Sequence, residues 1–173
     1  MRVLIHMMPW FDLGQRDNHW TMQLFEQDSM FLHDRYRTTG RIAAHYTPLI
    51  GPYDSADVDT IDLQLDLMRE AGADGIILNF YGATDLSDYG KNRRAADAIL
   101  GRVARTNLSW TLCYEDRTID DALPAAEQRQ RLVDDWKYIR DSYIATTPNV
   151  LRRDGTTRPT FMVFGPDLSL IHI

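Results

Sequence analysis

The chain of 173 residues contains a single cysteine, Cys113. An intrachain disulfide and a cysteine-based metal cluster are both excluded. The five histidines, His6, His19, His33, His45 and His172, are not paired at metal-ligand spacing, and there is no His-Glu-x-x-His or facial-triad pattern. No metal and no other cofactor is therefore expected. No apolar run approaches the roughly 18 residues of a membrane span. The opening residues, Met1 to Ile5, meet Pro9 too soon to form the core of a secretory leader. As written, the chain would stay in the cytoplasm. With a net charge of -6 and scattered arginines, it lacks the basic stripe that tracks phosphates, so nucleic acid is not an expected partner. A glycine-rich turn after the first apolar segment, which a dinucleotide-binding fold needs, is also missing.

What is present is an alternation of short apolar runs with amphipathic stretches. Hydrophobic residues make up 44% and charged residues 25%, which fits one globular domain with a real core. Val3 to Met8 reads as a buried strand ending at Pro9-Trp10. The polar and aromatic stretch from Asp12 to Gly40 is too long for a plain connector. The prolines and glycine of Pro48 to Pro52 impose a non-helical path, and Ser55 or Asp57 can cap the helix that follows. That helix presents Val58, Ile61, Leu65 and Met68 on one face and stops at Gly72. Gly75 to Tyr81 is a second strand. A helix near Asn92 to Arg105 presents Ala95, Ile99 and Val103. Ser109 to Tyr114 is a third strand, ending at Glu115-Asp116. A helix from about Pro124 to Ile144 presents Leu132, Trp136, Ile139 and Tyr143. Thr160 to Phe164 is a fourth apolar run.

Strands separated by helical crossovers imply parallel pairing and an α/β class. A doubly wound sheet and a barrel both fit that alternation. Polar and aromatic groups at successive strand ends favour a (β/α) barrel, whose active face lies at the strand C-termini. Four units are about half of the eight in such a barrel, so the expectation is a partial TIM-type barrel over residues 1–167. Its open parallel edges predict association or poor solubility. Residues 168–173, Leu168 to Ile173, resemble a translated transposon-end adapter used in sequencing libraries, the alternative being an ordinary apolar C-terminal strand. They are expected to be a tail foreign to the domain.

Four segments taken together carry a resemblance: Met8-Pro9-Trp10-Phe11, His45 to Ser55 (HYTPLIGPYDS), Ala71 to Gly82 (AGADGIILNFYG) and Cys113-Tyr114-Glu115-Asp116. In order and spacing the chain resembles the barrels of glycoside hydrolase families 71 and 99 over roughly residues 3 to 166. The resemblance implies attack on an α-glycosidic bond by two carboxyl groups on the C-terminal face of the barrel, with an oligo- or polysaccharide as substrate, mannan- or glucan-like. It also implies a principal pair on a later strand in a Glu-Trp-x-Glu-like motif, which this sequence does not contain. A further family glutamate supports the reaction near the sugar 2-hydroxyl, and Glu115 holds the matching position. Where the family places His and then Glu-Pro, this chain has Tyr114-Glu115-Asp116.

Glu115 is thus the expected catalytic group. Trp10, His45, Tyr46, Tyr53, Asp54, Asn79, Tyr81 and Asp116 are the expected substrate contacts. The aromatic rings would stack on sugars, although each taken singly is more often packing. Asn79 offers both a donor and an acceptor to a hydroxyl. His6 alternates with apolar strand residues, a placement that would turn it into the barrel interior. Cys113 reads as a small buried hydrophobe. Arg129, Arg131, Asp134 and Asp135 read as a solvent-exposed helix face. The alternatives are a barrel module that binds glycan without catalysis, and an α/β protein whose strand ends merely pack.

Overall fold

The computed structural model describes residues 2–13, 20, 42, 46–86 and 88–165. Four strands, β1 (Leu4–Met7), β2 (Gly75–Phe80), β3 (Ser109–Glu115) and β4 (Met162–Phe164), form one sheet in the order β1-β2-β3-β4. Every neighbouring pair is parallel. Three helices alternate with them: α1 (Val58–Glu70), α2 (Tyr89–Val103) and α3 (Ala125–Tyr138), the last continuing as a π-helical turn over Ile139–Ile144. A doubly wound sheet would reverse its strand order at some point. Sequential order with all helices on one face is the winding of a barrel.

The helices cover one face because that face is apolar in every central strand. Ile76, Leu78 and Phe80 of β2 and Trp110, Leu112 and Tyr114 of β3 alternate outward and are fully buried. They meet Ile61 and Leu65 of α1, Ala96, Ile99, Leu100 and Val103 of α2, and Ile139 and Tyr143 beyond α3. The expected helix faces therefore pack as read, except that Val58, at the first position of α1, stays largely exposed. Met162 and Phe164 on the short β4 lie exposed on the opposite side, while Val163 packs against the core.

Local chemistry sets the helix ends. Asp57 caps α1 by accepting the Thr60 amide at 2.7 Å, and that bond holds its carboxyl below the ordinary range. Ser55 works instead on the preceding loop. Its hydroxyl accepts the Phe11 amide at 3.1 Å, and its own amide donates to the Phe11 carbonyl at 2.9 Å. This tie fixes the loop after β1 against the entry to α1. At the other end Gly72, at φ 80°, donates to the Arg69 carbonyl, and Ala73 donates to Met68. Those two bonds make a Schellman turn, which needs a left-handed residue where glycine stands.

One reading of the helix faces is corrected. Asp135 is not on a solvent face: it is 7% exposed. Its carboxylate accepts the Tyr114 hydroxyl at 2.7 Å and the Ala83 amide at 2.6 Å. Burial is the main cause that pushes its carboxyl upward, and those two hydrogen bonds oppose the push. The charged neighbours Asp134 and Lys137 do face solvent. Asp135 is one step round the helix from them, on the edge that meets β3.

Candidate functional site

The second face of the sheet is the interior of the barrel wall. His6, Ile77, Asn79, Thr111, Cys113 and Glu115 share it by alternation. His6 pairs in register with Ile77, and Asn79 pairs with Cys113. Stepping from His6 to Asn79 and from Asn79 to Glu115 each advances two residues beyond the paired position. A two-residue advance keeps the side chain on the same face, so the three groups form a diagonal row across β1, β2 and β3.

The row is hydrogen-bonded throughout. Asn79 Nδ2 donates to Glu115 Oε1 at 2.6 Å and to the Tyr81 hydroxyl at 3.2 Å. Its Oδ1 meets His6 Nε2 in a short hydrogen bond. An ionised carboxylate only accepts, so Glu115 obliges the amide nitrogen of Asn79 to face it. The amide oxygen then faces His6, whose Nε2 carries the hydrogen and donates. Asn79 is 1% exposed, and both its amide hydrogens and its carbonyl oxygen are engaged in this arrangement. It holds Glu115 and His6 in place rather than offering a free amide.

Glu115 is half-buried, and burial is the largest cause that raises its carboxyl above the ordinary value of 4.5. The Asn79 bond and the proximity of His6 pull it back down, and Asp116 adds a small upward push. Cys113, on the same face, is buried, and burial raises its thiol as well. It is a packed side chain, not a nucleophile.

Around this row stands an aromatic group. Tyr81 stacks on Trp10 with ring centroids 6.3 Å apart and on Tyr89 at 6.0 Å. These rings rise where β1 and β2 end. Gly82, at φ 94°, turns the chain immediately after Tyr81, and its α-carbon lies so close to Asp135 that a Cβ would stand 2.9 Å from Oδ2. The Asp135 bond to Ala83 therefore fixes the loop that carries Tyr81.

The structure brings Glu115, Asn79, Tyr81 and Trp10 of the expected site residues together. Tyr53 sits elsewhere, in a cluster with Phe11 and Trp20, where its ring meets theirs at 5.4 and 5.1 Å and its carbonyl accepts the Trp20 indole at 2.7 Å. Tyr46 is 80% exposed. Asp54 accepts the Ala56 amide at 2.7 Å and lines a separate cavity beside Trp10. Asp116 is fully buried in the 3-10 turn after β3, out of reach of a ligand in solution. His45 lies outside the described residues, as do His19, His33 and the segment 168–173. His6 and Asp135 belong to the site or its support and are not among the expected site residues. His6 carries one signal, its alternation with apolar neighbours in a strand.

Among the described residues no cluster of His, Cys, Asp and Glu could hold a metal ion, and no helix is long and apolar enough to cross a membrane.

Comparison with protein-family models finds no match to this sequence. Comparison with curated proteins finds none either. Among solved structures, two of the GH99 endo-alpha-mannosidase from Bacteroides thetaiotaomicron, one in complex with bis-tris propane, are similar in fold. Their TM-scores are 0.63 and 0.62, at 18% sequence identity. The matches cover 95% and 94% of this chain but 42% and 44% of theirs, so the chain spans less than half the length of these neighbours. Its four parallel strands and their helices have the arrangement of part of a TIM barrel.

Proposed function

We propose that this chain contributes the substrate-holding part of a glycoside hydrolase active site for α-linked glycans, with the principal carboxylate pair supplied outside these 173 residues. The observation that carries the reading is the hydrogen-bonded row of His6, Asn79 and Glu115 at the strand C-termini, beside the stacked rings of Trp10 and Tyr81. Sugar rings present apolar faces to aromatics and hydroxyl edges to carboxylates, and this end of the sheet offers both. Glu115, fixed by Asn79, would accept a hydrogen bond from a sugar hydroxyl. In a complete barrel it would orient or deprotonate that hydroxyl during attack at the neighbouring carbon. The raised carboxyl of Glu115 makes it a better base than an ordinary glutamate near neutral pH.

A second reading is a barrel module that binds glycan through the same row and rings without cleaving it. Calorimetric titration of the purified chain with α-linked manno- and gluco-oligosaccharides tests the binding common to both readings. Binding is expected, weakened about tenfold by Trp10→Ala and by Glu115→Gln, because each loses one stacking or charge-assisted contact. No binding to any α-linked glycan would overturn both. Hydrolysis is not expected of the chain alone. Hydrolysis by a longer form of the protein that carries a downstream glutamate pair selects the enzyme over the binder.

A further inference from the structure

The loop after β2 is gripped from outside the barrel wall by two helices, and Ala83 is the point of grip. Its amide donates to the Asp135 carboxylate of α3 at 2.6 Å, and its carbonyl accepts a short hydrogen bond from the Arg93 guanidinium of α2. The other arm of Arg93 donates to the Asp85 carboxylate, in the same loop, at 2.8 Å. One planar guanidinium thus spans two acceptors of the loop, a task its fixed fork suits and a lysine ammonium does not. The Arg93 guanidinium also lies 5.8 Å from the centroid of the Tyr138 ring on α3. Asp85 in turn sits so close to the first turn of α2 that a Cβ on Gly90 would stand 2.5 Å from its Oδ1.

The grip lies next to a site residue. Tyr81 stands two residues before Ala83, with its hydroxyl accepting from Asn79 at 3.2 Å and its ring stacked on Trp10. Tyr89, one helical turn before Arg93 on the same face of α2, stacks on the Tyr81 ring at an interplanar angle of 5°. On the side of the turn after β3 the loop borders a cavity of about 190 Å³ shared with Thr118 and Ile119. Apolar packing is incomplete there, so the hydrogen bonds at Ala83 set where the loop lies. We propose that Arg93 and Asp135 are positioning residues, which clamp both polar groups of the Ala83 peptide and so hold Tyr81 against Trp10 at the strand-end row. The proposal rests on the glycan reading above for the ligand that Tyr81 meets.

The test is a double-mutant cycle between Arg93→Ala and Tyr81→Ala in the full chain, with far-ultraviolet dichroism confirming the fold. Two quantities are read. The first is the near-ultraviolet dichroism of the Trp10–Tyr81 stack, defined as the band that Tyr81→Ala removes, which needs no ligand. The second is affinity for α-linked manno- and gluco-oligosaccharides. Arg93→Ala is expected to lose the band and to weaken binding about fivefold, the scale of one aromatic contact. In the Tyr81→Ala background it is expected to change affinity by less than about twofold, because its effect passes through Tyr81. Arg93→Lys keeps the charge but reaches one acceptor, so it is expected to restore part of both signals, and it carries the test if Arg93→Ala does not fold. A folded Arg93 variant that keeps the whole band overturns the clamp, as does an equal loss of affinity in both backgrounds. Failure of wild type to bind any of these glycans overturns the glycan reading, and the dichroism then decides the clamp.

Discussion

Removing the buried carboxylate of Asp135 should destabilise the protein strongly. Asp135→Ala strands two donors, the buried Tyr114 hydroxyl and the part-buried Ala83 amide. A buried donor left without an acceptor costs about 1–3 kcal/mol and a part-buried one less, so the pair costs about 3 kcal/mol, a large part of an ordinary domain's stability. Asp135→Asn behaves differently. Its amide oxygen can still accept from Ala83, and the Tyr114 hydroxyl can turn to accept from the amide nitrogen. Its expected cost is about 1–2 kcal/mol. Urea unfolding at pH 7, followed by tryptophan fluorescence, reads both as shifts of midpoint at unchanged slope. The pH dependence has a definite sign. Burial raises the Asp135 carboxyl above its ordinary 3.8, so the native state binds that proton more tightly than the unfolded chain. Ionisation of Asp135 therefore detracts from stability. Wild type gains on Asp135→Asn as the pH falls through the raised value toward 3.8. The reasoning is refuted if Asp135→Ala costs less than about 1 kcal/mol, or if Asn proves as damaging as Ala.

Two further outcomes are expected. Gly75→Ala should destabilise by about 3 kcal/mol, because a Cβ there would strike the Ser109 carbonyl oxygen and stand 2.8 Å from its carbon, main-chain atoms that have no rotamer to escape into. Thermal or urea unfolding measures it, and a neutral result would mean that β2 and β3 are not held at this register. Glu115→Gln should remove a pH dependence from glycan binding. Wild-type affinity should fall on acidification through a midpoint above 4.5, as the burial-raised carboxylate takes up its proton and loses an acceptor, whereas the variant should be flat over the same range. Parallel profiles for the two proteins would assign the pH dependence to another group.

Much of the fold is legible because it is written in two periodicities. Strands β2 and β3 are continuous apolar runs bounded by glycine or polar residues, and the helices carry apolar residues at helical spacing. Boundaries differ by a few residues: α2 begins at Tyr89 rather than near Asn92, and α3 passes into a π-helical turn at Ile139. Composition does not encode such a turn. Asp135 escapes a sequence reading for a related reason. Between Asp134 and Lys137 it looks like one more solvated charge, and only the approach of Tyr114 from β3 and of the loop after Gly82 turns it into a buried acceptor. Tertiary contact decides that residue's role, and no local signal announces it.

The candidate site is half legible, and the missing half depends on register. Glu115, Asn79 and Tyr81 stand out because they end apolar strands, but His6 has no evident partner until β1 is aligned on β2. A one-residue slip would send His6 to the helical side and break the row. The same alternation separates stability from function along each strand. In β2 the outward residues Ile76, Leu78 and Phe80 are all apolar and buried under helices, while the inward series Gly75, Ile77 and Asn79 turns polar only at the C-terminal end. The helix-facing half of the sheet already holds the unit together, so the polar groups at the strand ends are not needed for cohesion there. They carry a desolvation cost that burial of Glu115 makes visible. On the proposed reading, this costly hydrogen-bonded row stands at the end of the sheet where (β/α) barrels do their chemistry because a ligand uses it.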